Sequence, residues 1–305
     1  MRTAAAVLIL LTSSALADEV TLQTPTGTLY GTLLMPSPTT PVPVVLIIAG
    51  SGPTDRDGNS TLEEAHNNSY RMLAEVLADQ GIASLRYDKR GVAASAAAFT
   101  GDLTVDIEIS DALGWLQQIR SDPRFSLVIV AGHSEGSLIG IVAAERTRAD
   151  RVISLAGAGR PAGDVILSQI EAQFTPALID AARKIIASLN AGVTVPNSMV
   201  PFALRFIFDE SVQPYLISWF RYDPAVEIGR LMIPILIVQG TADTQLTVDD
   251  AMRLSNANRA AGLQIITGMN HDLKDAPNPT SPIDRVLVTA VTSFIIPPIR
   301  RRAVR

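Results

Sequence analysis

The sequence predicts an α/β fold: a mostly parallel central sheet flanked by helices, with a helical insertion over the carboxyl edge of the sheet. Three observations carry this expectation. Short runs of valine, isoleucine and leucine alternate with helix-period segments along most of the chain, which is the rhythm of repeated strand–helix units. Several of those runs are apolar at nearly every position, as strands covered on both faces are. The rhythm breaks once, between Gly159 and about Glu227, and then resumes.

The elements follow in order. Val20 to Leu34 alternates roughly around Thr26-Gly27 and reads as an antiparallel hairpin. Val42 to Ala49 is the first doubly buried strand. Tyr70 to Gln80 has helical spacing and stops at Gly81. A strand over Ile82–Tyr87, a helix over Val105–Arg120, a strand over Leu127–Ala131, a helix over Ser137–Arg148 and a strand over Val152–Ala156 continue the pattern. After the break come a strand (Ile233–Gln239), a helix (Val248–Ala261), a strand (Leu263–Thr267) and a helix (Ile283–Ile296). The interrupting segment looks helical throughout. It is punctuated by Pro196, Pro201 and Pro214 and holds Phe174, Phe202, Phe206, Phe208, Phe220 and Trp219. Ligands bind at the carboxyl edge of open α/β sheets, so this segment is expected to cap the site.

Hydrophobic residues make up 47% of the 305 residues and charged residues 18%, with a net charge of −5. That balance supports a large core and excludes a disordered chain. It also gives no basic patch, so no nucleic-acid partner is expected. The basic run Arg300-Arg301-Arg302 with Arg305 sits at the end of the chain and reads as a solvated tail. Arg2, the apolar run Ala4–Leu11 and the small-x-small sequence Ala15-Leu16-Ala17 read as a cleavable signal peptide over residues 1–17. The expected destination is the periplasm or the medium, with no stable membrane insertion after cleavage. There is no cysteine, so disulfides, a thiol nucleophile and thiolate metal sites are all excluded.

Gly132-His133-Ser134-Glu135-Gly136 matches the Gly-x-Ser-x-Gly nucleophile elbow, with a predicted strand running into it and a predicted helix leaving it. A serine hydroxyl needs a base, and the chain has three histidines: His66, His133 and His271. His133 adjoins the serine and cannot easily turn its ring onto that hydroxyl; His66 lies upstream. Around such elbows the partners follow in the order serine, acid, histidine, which selects His271 in Gly268-Met269-Asn270-His271-Asp272. The acid then belongs in a loop after a strand, and Gly240-Thr241-Ala242-Asp243 supplies Asp243. Asp249 and Asp250 suit the first turn of the next helix, and Asp272 would need a tight turn to reach its neighbour. For the oxyanion, the amide of Glu135 is one expected donor and that of Ser51, in Gly50-Ser51-Gly52-Pro53, the other, with Gly52 as the alternative. Asp55-Arg56-Asp57 reads as a charge cluster that pins a long loop. No calcium loop, histidine cluster, phosphate loop or dinucleotide fingerprint appears, so neither metal nor cofactor is expected.

Together with Gly50–Asn59 and Arg86-Tyr87-Asp88-Lys89-Arg90-Gly91, these motifs resemble the α/β-hydrolase superfamily over nearly the whole chain. The nearest likeness is to secreted bacterial hydrolases of the serine aminopeptidase-like and dienelactone hydrolase-like groups. Two departures stand out: Ala49 replaces the histidine of many lipase oxyanion motifs, and Gly91-Val92-Ala93-Ala94-Ser95 replaces a Gly-Val-Gly-x-Ser continuation. The resemblance implies a core over 18–159 and 228–305 with a helical cap over 160–227.

The leading expectation is an esterase that passes through an acyl-enzyme, acting on a small-molecule substrate with an apolar acyl or aromatic group. An amide or peptide hydrolase with the same triad is the alternative, and Glu171, Asp180, Asp209 or Glu210 would then anchor a substrate amine. A binding module on a hydrolase fold is the third, disfavoured because all three triad candidates are present.

Overall fold

The computed structural model describes residues 16–37, 41–61, 66–101, 103–275 and 280–296. The expected signal peptide up to Ala15 and the C-terminal arginines lie outside the described residues. Leu16 and Ala17 belong to the first strand.

β1 (Leu16–Thr24) and β2 (Gly27–Met35) form the expected antiparallel hairpin, with Thr24 opposite Gly27. β3 (Val42–Ile48), β4 (Ala83–Tyr87), β5 (Phe125–His133), β6 (Arg151–Leu155), β7 (Ile235–Gly240) and β8 (Gly262–Ile266) complete the sheet. Its order is β1-β2-β4-β3-β5-β6-β7-β8. The pairings from β4 across to β8 are parallel, and only the hairpin edge is antiparallel.

Side chains of successive strand residues point to opposite faces, and the core divides accordingly. Val44, Leu46 and Ile48 of β3 pack with α2 (Val105–Arg120), α3 (Glu135–Thr147) and α9 (Val248–Ala257). Val45, Ile47 and Ala49 pack with α1 (Ser69–Asp79) and α10 (Arg285–Ile295) on the other face. The result is three layers, helix–sheet–helix. Local chemistry sets the helix ends. The Thr104 side chain accepts from the Ile107 amide at the start of α2, and Thr247 with Asp250 forms a capping box on α9. α9 stops at Ala257, short of the expected Ala261, because the Asn258 amide group leaves the helix to donate to the carbonyls of Ile228 and Leu231, both at 2.9 Å.

Register decides where the site falls. Ile48 pairs with Gly132, and His133 with Leu155. The ends of β3, β5 and β6 therefore lie side by side, and the loops after β7 and β8 leave from the same edge. The segment between β6 and β7 contains α4 (Ala162–Gln173), α5 (Pro176–Asn190), α6 (Arg205–Phe208), α7 (Gln213–Phe220) and α8 (Pro224–Gly229). It is not helical throughout. Residues 191–201, with Pro196 and Pro201, carry no helix, because proline removes a backbone donor and restricts the residue before it. This insertion has its own core, in which Ile185, Leu204, Phe208 and Leu216 are buried. Its aromatics divide: Phe208 and Phe220 are in that core, while Phe202 and Phe206 are 86% and 74% exposed.

Candidate active site

Ser134 stands between β5 and α3 with φ 54° and ψ −121°. Few non-glycine residues hold such a backbone, and the packing around it shows why it persists. A Cβ on Gly132 would lie 2.0 Å from the Gly136 carbonyl oxygen, and one on Gly136 would lie 2.4 Å from the carbonyls of Ile48 and Ala49. The two glycines let α3 start directly against the end of β3. Helix α3 accordingly begins at Glu135, two residues earlier than its periodicity suggests.

His271 follows β8, and its Nδ1 lies 2.8 Å from Asp243 Oδ2. Asp243, in the loop after β7, also accepts from Gln239 Nε2 at 2.9 Å and from the amides of Gln245 at 2.8 Å and Leu246 at 3.0 Å. Burial alone would raise its carboxyl. The His271 hydrogen bond and charge, with the Leu246 amide and Gln239, outweigh burial and hold it below the usual carboxylate range. Among the described residues the Ser134 hydroxyl makes no hydrogen bond to His271; the two line one cavity. Such bonds commonly tighten only around bound substrate.

The other acids considered from the sequence have different duties. Asp250 is buried and pairs with Arg160 while capping α9. Asp272 accepts from Asn67 Nδ2 at 3.1 Å. Arg56 pairs with Asp88 at 2.7 Å and Arg86 with Asp57 at 3.0 Å, so the charged triplet Asp55-Arg56-Asp57 pins its loop. Among the described residues no cluster of three or more metal-ligating side chains occurs, and no helix is long and apolar enough to cross a membrane.

His133 does more than its sequence position suggests. Its Nε2 lies 2.8 Å from the His271 carbonyl oxygen, which can only accept, so Nε2 carries the proton. Nδ1 must then accept, and the Tyr70 hydroxyl at 2.8 Å donates to it. Tyr70 in turn accepts from the Gly50 amide at 3.0 Å. A single directed chain thus runs from the loop after β3 to the backbone of His271. Burial first, then the neighbouring His271 charge, pushes the His133 imidazole down to about 3, in keeping with a neutral ring. Nothing in the local sequence around His133 names Tyr70, 63 positions upstream.

Two cavities meet at Ser134 and Ser51. One, of about 140 Å³, runs under the insertion against Val165, Ile166, Trp219 and Leu246, with Arg160 at its wall. The other, of about 240 Å³, contains His271 and is lined by Asn67, Tyr70, Asp272 and the Gly50–Gly52 loop. Ser51 lines both cavities, whereas Gly52 lines only the second. Glu171, Asp180, Asp209 and Glu210 line neither. Glu171 is engaged with Arg183, and Asp209 with Asn197 and Ser211, on the outside of the insertion.

Residues 64–202 match the family model described as serine aminopeptidase S33. The esterase EstD of Thermotoga maritima is 28% identical over 281 residues, which is 91% of this chain; the chain spans 66% of that relative's length. Among solved structures, Est1E from Butyrivibrio proteoclasticus superposes with a TM-score of 0.60 at 18% identity, covering 90% of this chain and 96% of Est1E. The Pyrococcus furiosus esterase Pf2001 gives a TM-score of 0.60 at 15% identity, with 92% and 89% covered. At these identities the structural likenesses speak for the fold. A parallel sheet in this order and a serine elbow at the end of β5 give the chain the α/β-hydrolase fold, and its sequence is similar to hydrolases at both family and relative level.

Proposed function

We propose that the chain is a carboxylic ester hydrolase that works through an acyl-enzyme on Ser134. In this reading Ser134 Oγ attacks the substrate carbonyl carbon while His271 Nε2 takes the hydroxyl proton. The ester C–O bond then breaks and His271 returns that proton to the leaving alcohol. Water repeats the sequence and frees the acid. Asp243 holds the His271 tautomer and stabilises its cationic form. The amides of Glu135 and Ser51 receive the oxyanion.

The observation that carries the reading is the bond from His271 to the buried, four-times-bonded Asp243, with His271 lining a cavity that also contains the strained Ser134. The leaving oxygen must lie within reach of His271. The alcohol therefore belongs in the polar cavity, and the acyl group in the apolar cavity under the insertion, which serves as a cap. Support for an aromatic or apolar acyl group comes from Trp219, Val165 and Ile166, and from the Est1E structure, which has ferulic acid bound.

The S33 description keeps amide substrates in view. The insertion carboxylates that would anchor an amine lie away from both cavities, which favours esters. Export to the periplasm or medium is part of the proposal and rests on the signal-like residues 1–17.

The test is a nitrophenyl ester series of increasing acyl length, run beside matched aminoacyl anilides. Turnover of short esters by the wild-type chain, and its loss in Ser134→Ala, is the expected outcome. Full ester hydrolysis by Ser134→Ala, or anilide turnover exceeding ester turnover, contradicts it.

A further inference from the structure

Behind the nucleophile lies a buried polar cluster that the triad does not use. Lys89, just past β4, has its ammonium 2.9 Å from Glu108 Oε1 on α2, 3.5 Å from Glu135 Oε2 and 3.1 Å from the Gly50 carbonyl oxygen. All three side chains are buried. Tyr215, on α7 of the insertion, closes the cluster. Its hydroxyl is 2.5 Å from Glu135 Oε1 and 3.0 Å from Glu108 Oε2.

The hydrogens can be counted. A tyrosine hydroxyl carries one and can donate to one carboxylate only. The contact to the second carboxyl then requires a hydrogen from that carboxyl. The geometry thus calls for one proton held between Glu108 and Glu135, and with it Lys89 is balanced by a single negative charge. Burial, the leading influence, moves the Glu135 carboxyl the same way, to about 7, against the pull of Lys89. A buried charge left without its partner is costly, so these four side chains stand or fall as a unit.

Gly50 and Glu135 head the two arms of the oxyanion site. Gly50 precedes Ser51, and the Glu135 amide follows the nucleophile. Lys89 touches both arms, through a carbonyl on one and a carboxylate on the other. We propose that Lys89 is a positioning residue that sets the spacing of the two oxyanion donors, and that Tyr215 makes this spacing depend on the seating of the insertion. The inference rests on the serine ester hydrolase reading above. Sites of this kind must hold their donors to within about 0.5 Å, and loss of a single donor costs on the order of 10²–10³ in kcat.

The experiment compares wild type, Lys89→Met and Tyr215→Phe on a short nitrophenyl ester, with inhibition by an alkylboronic acid measured alongside. The tetrahedral boronate oxygens occupy the oxyanion site, so they report on its spacing. For Lys89→Met, kcat is expected to fall about 10- to 100-fold while KM changes little, and boronate inhibition should weaken by a comparable factor. Tyr215→Phe should show the same pattern, more weakly. Where Lys89→Met does not fold by circular dichroism, Lys89→Met with Glu108→Gln removes the cation together with one counter-charge and serves the same measurement. A folded variant lacking Lys89 with kcat within twofold of wild type overturns the proposal, as does a loss of kcat with boronate inhibition unchanged. Absence of ester turnover and of fluorophosphonate labelling in the wild type would instead overturn the hydrolase reading itself.

Discussion

Ser134 pays for its exposure at the sheet edge with a backbone conformation that costs of the order of 1–3 kcal/mol. The surrounding atoms hold it there: its amide donates to the Leu155 carbonyl at 2.9 Å, and its own carbonyl accepts from the Ser137 amide at 3.0 Å. At the same scale, Asp243→Asn should lower kcat by roughly 10⁴ without unfolding the chain, because an amide side chain favours the wrong tautomer of His271. Steady-state kinetics with a circular dichroism control checks this. His133 and Glu135 impose opposite pH dependences on stability. His133 has its folded value depressed to about 3 from 6.5. The stability it contributes is complete above about 6.5 and is lost as pH falls through that window. Glu135 has its folded value raised to about 7 from 4.5. Its contribution is complete below about 4.5 and is lost as pH rises toward 7. Glu135→Gln should therefore remove a decline in stability between about pH 4.5 and 7, visible in urea titrations at a series of pH values.

At the scale of elements, the elbow depends on backbone contact between β5, α3 and β3. Gly136→Ala places a methyl carbon 2.4 Å from two carbonyl oxygens, and neither can move without breaking the sheet. Loss of folded protein or of several kcal/mol of stability is expected, and thermal unfolding of the variant measures it. The loops that meet here were partly legible in the sequence. Ser134, His271 and Asp243 could be picked out because strand–loop order and the scarcity of histidine restrict the choice. Tyr70 and Lys89 could not, because each acts through partners 19 to 63 positions away and looks, locally, like an ordinary helix or loop residue. Tyr215 lies further still, 80 positions from Glu135, inside a segment whose composition suggests only a core. Periodicity likewise gave α2 its full length but overran α9, where a side-chain bond from Asn258 ends the helix.

For the whole molecule, the insertion and the sheet are joined by polar pins as well as by apolar contact, since Tyr215, Trp219 and Tyr222 pack against the core of the sheet. The insertion's own buried cluster includes Phe208 and Leu216, while Tyr215 reaches Glu108 and Glu135, Tyr222 reaches Asp106 at 2.6 Å and Ser218 accepts from the Val105 amide at 2.9 Å. Phe208→Ala should cost about 3–5 kcal/mol, concentrated in the insertion, with hydrogen exchange accelerating in α4 to α7 before the sheet. Trp219 lines the apolar cavity, so Trp219→Ala should shift the preferred ester toward longer acyl groups, read from kcat/KM across a chain-length series. Fold class was legible at this scale because strand and helix periods differ and recur; the path of residues 191–201 was not, since it depends on how the insertion packs.

The kinetic expectations all depend on Ser134 becoming acylated. Rapid mixing with a nitrophenyl ester, acid quenching and peptide mass mapping would decide that directly. The expected result is a burst of nitrophenol with one acyl mass increment on the peptide that carries Ser134. Steady hydrolysis with no adduct there, or an adduct on another residue, would contradict it.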